Sequence, residues 1–227
     1  MHIGLIGGIG PAATVAYYTG LVAAFKKAGQ PLEVTIAHAD VSVLSANASS
    51  NNKQAQASVF AKHTAQLERA GCDVALITAL TGHFCFTETQ ALSDIPLING
   101  VGIIDDYCKK HQIGVIGLLG SPPVLATHLF GLLKASETVV PNKGLEGLGK
   151  TYMNVATSGK CSEDSRQKFF EAGAKMIERQ KAEAILLAGT DLALAFHGHE
   201  PGYEVIDALQ LHIDALLALQ IEHGPLS

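Results

Sequence analysis

Two similar α/β lobes, each a mainly parallel sheet flanked by helices, are the fold class that the sequence predicts, and three observations predict it. Apolar strand-like segments alternate with helical ones along the whole chain. Those strands are apolar throughout rather than at every second residue, the pattern of parallel strands covered on both faces. The second half then repeats the order of the first. With 48% apolar against 16% charged residues in 227, the chain has ample material for a core, and its 23 glycines and 8 prolines allow many tight turns between short elements.

The elements follow in order. Ile3-Gly4-Leu5-Ile6-Gly7 reads as a buried strand that breaks at Gly8-Ile9-Gly10-Pro11, where Pro11 suits the first turn of a helix reaching about Lys27. A strand over 33–38, a helix over 53–70 with Gly71 behind it, a strand over 73–78, a shorter helix from about Phe84 and a strand over 96–98 complete the first half. From Val101 the pattern restarts, with a helix to His111, a strand over 113–117, the turn 118–123, a helix to Lys134 and a strand near 137–140. Slid on itself by 110 positions, Ile3-Gly4 meets Ile113-Gly114, Gly7 and Gly10 meet Gly117 and Gly120, and Thr78-Ala79 meets Ala188-Gly189. A last helix, about 204 to 220, carries an apolar stripe that includes Val205, Leu209, Ile213 and Leu216 and is expected to cross back to the first lobe. Residues 1–98 with 204–227 are therefore assigned to one lobe and 99–203 to the other. Open α/β sheets bind ligands at strand carboxyl ends, so both lobes are expected to aim the neighbourhoods of Ala79 and Gly189 at a shared cleft.

Composition excludes several classes of function. The formal charge is −5 and no basic run occurs, so the electrostatic footprint of a nucleic-acid partner is missing. Cys72, Cys85, Cys108 and Cys161 form no CxxC pair and read as free thiols. Met1-His2-Ile3 runs straight into a strand pattern, and no apolar run is long enough for a membrane span, which makes a cytoplasmic protein with no membrane partner the expectation. The polar stretch from Ser45 to Gln56 reads as a mobile loop over the cleft. His197-Gly198-His199-Glu200 reads as a solvated loop or lid, and no metal is assigned to it.

The turn Gly8-x-Gly10-x-x-Ala13 can aim backbone N–H groups and a helix dipole at an anion. A dinucleotide site wants an acid about twenty residues on, whereas the best-placed acid, Asp40, comes about thirty on. A smaller anion therefore suits the turn better, and Gly120-Ser121-Pro122-Pro123 offers a second such turn. Two nests suit a dicarboxylate or an amino acid, with no cofactor required.

Thr78-Ala79-Leu80-Thr81-Gly82-His83-Phe84 lies at a strand end, and there the chain resembles the aspartate/glutamate racemase family. Residues 3–14 are similar to that family's opening strand and turn, and Thr81-Gly82-His83-Phe84 resembles the tail of its Cys-Asn-Thr-Ala-His motif. Residues 113–120 resemble the strand that opens its second lobe, Gly189-Thr190-Asp191-Leu192 its Gly-Cys-Thr-Glu-Leu segment shifted by one, and Val205-Ile206-Asp207 its closing helix entry. The resemblance implies a cofactor-independent racemase fold, commonly a homodimer, in which two cysteines face each other across the substrate. One removes the α-proton and the other returns it.

Here Ala79 stands at the first cysteine position and Gly189 at the second, while Leu80 replaces the motif's asparagine. Methyl and hydrogen exchange no protons. The first expectation is a homologue that binds a small amino acid or carboxylate, with Gly8, Gly10, Thr81, Gly120, Ser121 and Thr190 lining its site and conventional racemisation lost. The second is an enzyme of altered, one-base chemistry, with His83 and Asp191 as candidate catalytic groups. His83 reads equally as a backbone-bonded histidine at a helix start, and Cys85 as a buried small hydrophobe. A nucleotide-binding module is a third option. Replacing Ala79 and Gly189 together by cysteine is expected to install some racemisation.

Overall fold

The computed structural model describes residues 1–8 and 10–223; Ile9 of the first glycine turn, residues 224–227 and the side chain of His223 lie outside the described residues. The chain divides into two compact units, Met1–Gly100 with the chain from Leu209, and Val101–Ala208.

In the first unit, strand β1 (His2–Gly7) is buried along its whole length, as its unbroken apolar run requires. Helix α1 (Pro11–Ala28) follows, with Pro11 in its first turn and its core face made by Ala13, Thr14, Tyr17, Leu21 and Phe25. Burying each of the large side chains on that face contributes roughly 1.5–3 kcal/mol. Strand β2 (Glu33–His38) leads to helices α2 (Val41–Ser49) and α3 (Lys53–Arg69), then to strand β3 (Val74–Ile77), a 3-10 turn over Leu80–Cys85 and the short helix α4 (Phe86–Gln90). The sheet order is β2-β1-β3, all parallel, with the buried β1 in the middle and the more exposed β2 at an edge.

Helix α5 (Gly100–Lys110) begins on Gly100, the last residue of the first unit's opening segment. The second unit takes up its remainder and continues through β4 (Val115–Leu119), α6 (Pro122–Ala126), a 3-10 turn over Leu129–Gly131, β5 (Glu137–Val139), α7 (Leu145–Ser158) and α8 (Glu163–Gln180). Strand β6 (Ala184–Leu187), a 3-10 turn over Thr190–Leu192, α9 (Ala193–Phe196) and β7 (Val205–Asp207) complete it. The order is β5-β4-β6-β7, again all parallel. Helix α10 (Ala208–His223) supplies Ile213 to the first unit, where its Cδ1 lies against Gly20 of α1.

Four sequence expectations change. The polar stretch 45–56 is not a loop: it holds the end of α2 and the start of α3. Its asparagines and serines are turn and cap residues, with Asn52 Oδ1 accepting from the Ala55 N–H. The strand over 96–98 reduces to a single bridge of Leu97 with Ala75. The helix drawn from about 123 to Lys134 breaks after Ala126, where His128, Leu129 and Phe130 all take positive φ, a conformation that α-helix cannot continue through. The closing helix starts at Ala208, because 205–207 form a strand instead.

The internal echo also shifts in part. Ile77 and Leu187 pair with Ile6 and Leu119, so the offset of 110 residues holds for β3 and β6 whereas β1 and β4 are related by 113. The structural counterpart of Gly7 is thus Gly120 rather than Gly117. Glycine-rich strands of similar composition align with themselves in more than one way, and only the hydrogen-bonded register decides which holds.

Candidate functional site

The two strand ends have one backbone design. After β3, Ala79 is extended (φ −137°, ψ 126°) and caps the 3-10 turn of Leu80–Cys85; after β6, Gly189 is extended (φ −139°, ψ 115°) and caps that of Thr190–Leu192. In both, the strand-end carbonyl accepts an N–H three residues on, from Gly82 and from Leu192, at 2.9 Å each. The positions singled out by the self-alignment are therefore structural equivalents.

Around Ala79 the side chains are committed to holding the first unit together. Thr78 Oγ1 donates to the Ile6 carbonyl at 3.1 Å and lies 3.0 Å from Thr14 Oγ1, tying β3 to β1 and α1. His83 is 2% exposed; its Nδ1 lies 3.2 Å from the Ala79 carbonyl and its Nε2 accepts the Gly100 N–H at 3.1 Å. That pairing fixes a neutral ring protonated at Nδ1. Behind it, His212 of α10 lies 2.9 Å from the Gly100 carbonyl through Nε2 and 2.5 Å from Tyr17 Oη through Nδ1. Burial foremost, with the neighbouring His212, brings the pKa of His83 down to about 4. Cys85 is fully buried, its Sγ 3.5 Å from the Gly82 carbonyl and 3.6 Å from Thr89 Oγ1, and burial pushes its thiol up to about 11. Leu80 and Thr81 are buried beside it.

The glycine turn before α1 needs glycine at both ends. Gly8 has φ +145°, and a Cβ there would lie 2.5 Å from the Ala39 carbonyl oxygen and 2.7 Å from Leu44 Cδ1; Gly10 caps α1 at φ 75° with no side-chain hydrogen bond. Asp40, weighed as a ribose acid, is instead the cap of α2: its carboxylate accepts the Ser42 N–H, the Val43 N–H and the Ser42 hydroxyl. These bonds lower its pKa.

In the second unit Gly120 packs against Ala188, whose carbonyl a Cβ would approach to 3.0 Å, so the β4 turn lies beside the end of β6. Ser121 caps α6, which is five residues long and begins with Pro122-Pro123. Two prolines remove the first two N–H donors, which leaves this turn a poorer anion nest than its likeness to the first implies. Thr190 and Asp191 are both 4% exposed.

Sequence reasoning missed Tyr152 of α7. It is 6% exposed and donates its phenol proton to Asp191 Oδ2 at 2.9 Å, while burial foremost, with the adjacent Asp191, holds its pKa well above the usual 10. A Cβ built on Gly189 would stand 2.5 Å from the Tyr152 Cε2 and 2.6 Å from its phenol oxygen. No motif links residues 39 apart in sequence, so nothing in the chain alone points to this ring.

His197 pairs with Asp207 at 2.7 Å, and that bond raises its pKa. Among the described residues no group of three or more His, Cys, Asp or Glu could hold a metal ion, and no helix is long and apolar enough to cross a membrane.

Two all-parallel sheets flanked by helices match the two-lobe fold of solved racemase structures. The family model described as Asp/Glu/Hydantoin racemase matches residues 6–216, and the chain belongs to that family. An aspartate racemase homologue from Pyrococcus horikoshii OT3 is 23% identical with a TM-score of 0.82, covering 97% of this chain and 99% of its own. A putative Asp/Glu racemase from Yersinia pestis is 21% identical with a TM-score of 0.76, over 97% and 100%. Allantoin racemase from Klebsiella pneumoniae is 13% identical with a TM-score of 0.58, over 100% and 90%. No curated protein matches the chain.

Proposed function

We propose that the protein binds a small amino acid or related carboxylate at the strand ends of its two lobes, in the interlobe cleft expected from the sequence, and does not carry out conventional two-cysteine racemisation. The observation that carries this reading is the matched backbone of Ala79 and Gly189, which presents a methyl group and a hydrogen where a proton-transferring pair is needed. A general base must hold a free lone pair near neutral pH within hydrogen-bond reach of the carbon acid. His83 has both nitrogens engaged by the backbone, and Cys85 keeps its proton well above neutrality. In this reading Gly8, Gly10 and Thr81 line the ligand's site from the first lobe, Gly120, Ser121 and Thr190 from the second, and no cofactor takes part. The protein works as a cytoplasmic homodimer, engaging neither nucleic acid nor membrane.

One-base carbon-acid chemistry is the second reading, favoured by one observation, a buried Asp191 hydrogen-bonded to Tyr152. Proton NMR in D₂O, following the α-proton of L- and D-amino acids and substituted malonates, separates the two. Binding without exchange is the expected result. Exchange that is lost in Asp191→Ala or His83→Ala would establish the second reading instead.

A further inference from the structure

The extended backbone of Gly189 is one that any residue adopts, so its conformation does not call for glycine. The demand comes from Tyr152, whose ring edge and phenol oxygen fill the space into which a side chain at 189 would grow. Having given its only proton to Asp191, the phenol oxygen presents lone pairs alone, and the carboxylate likewise only accepts. A wall built from two such acceptors recognises a donor. A cation arriving there also gains from the low dielectric beside a buried carboxylate.

We infer that Tyr152 takes the place of the side chain that Gly189 lacks and, with Asp191, forms a recognition site for a ligand's ammonium group at the end of β6. The inference rests on the reading that a small amino acid or carboxylate binds at the strand ends, and it deepens that reading by assigning the amine-recognising residues. The glycine and the tyrosine act as one unit, since the ring in this position leaves no room for a Cβ at 189. The raised pKa of the phenol keeps the proton on its own oxygen, donated to Asp191, at neutral pH.

Calorimetric titration of the full chain with L-aspartate against succinate, and with L-glutamate against glutarate, isolates the ammonium, because each pair differs only in that group. In at least one pair the amino acid is expected to bind about tenfold more tightly than its partner, the scale of one hydrogen bond to a charged group. Tyr152→Phe, which keeps the ring and removes the accepting oxygen, is expected to reduce that preference by about twofold or more. Equal affinity within each pair, or an undiminished preference in Tyr152→Phe, overturns the inference; binding of none of the four acids overturns the ligand reading beneath it. Thermal melting without ligand tests the geometry separately. Gly189→Ala is expected to lower Tm by about 3–8 °C when Tyr152 is present, with no further loss in a Tyr152→Leu background, where the distal ring edge is gone. The same loss in both backgrounds would separate position 189 from Tyr152 and overturn the pairing.

Discussion

The end of β3 and the end of β6 share a backbone and differ in where their surroundings come from. Beside Ala79 the imidazole and thiol belong to the same 3-10 turn, and both are locked into the first unit by the backbone and by burial. Beside Gly189 the decisive group is a phenol brought in from α7. A repeated strand-turn unit thus fixes the geometry of a position twice over, while the chemistry at each copy depends on which neighbour reaches it.

The most direct way to break that difference is to make the two ends alike. Ala79→Cys with Gly189→Cys, expected from sequence to install racemisation, should give no α-proton exchange while Tyr152 fills the room at 189. Adding Tyr152→Leu should produce measurable exchange in D₂O, and exchange in the double variant itself would show the ring to be no obstacle. Next in size is His83→Ala, which leaves a cavity and strips the buried Gly100 N–H of its acceptor. A loss of about 3–4 kcal/mol in urea unfolding is expected.

His83 also dictates a pH dependence. Its folded pKa near 4 lies below its ordinary 6.5, so the unfolded chain takes up a proton first. Stability is full above about pH 6.5 and falls as the pH drops toward 4, by on the order of 3 kcal/mol. His197 has the opposite sign: its folded pKa is raised by Asp207, so its contribution is present below pH 6.5 and is lost as pH rises through the folded value. Imidazole NMR titration should show the two histidines displaced in opposite directions, with Asp207→Asn returning His197 toward 6.5.

The smallest effect sharpens the contrast from the thiol side. Cys85 should resist alkylation in the native protein, since it is fully buried and titrates near 11, whereas the partly exposed Cys161 should label first. Native-state labelling followed by peptide mapping checks the order.

The strand over 33–38 was legible to the residue, and so were the matched strand ends, because a short run rich in β-branched and apolar residues closed by a turn carries its own boundaries. The stretch 45–56 was not. Its cap, Asp40, precedes a helix with only Leu44 buried, so the apolar periodicity that marks a helix is nearly missing. The echo between the halves paired Ala79 with Gly189, whose backbones match, but misplaced Gly7 against Gly117, since sheet register is set by hydrogen bonds between strands distant in sequence.

By itself the sequence determined the α/β class, the repeat, the family resemblance and the pairing of Ala79 with Gly189, all of which follow from local pattern. Only the tertiary structure decided that both nitrogens of His83 are spent on the backbone, that Asp40 caps a helix, and that Tyr152 closes over Gly189. Each of those depends on a side chain meeting a partner whose direction is fixed by packing, and packing is settled only when the distant segments of the chain are assembled.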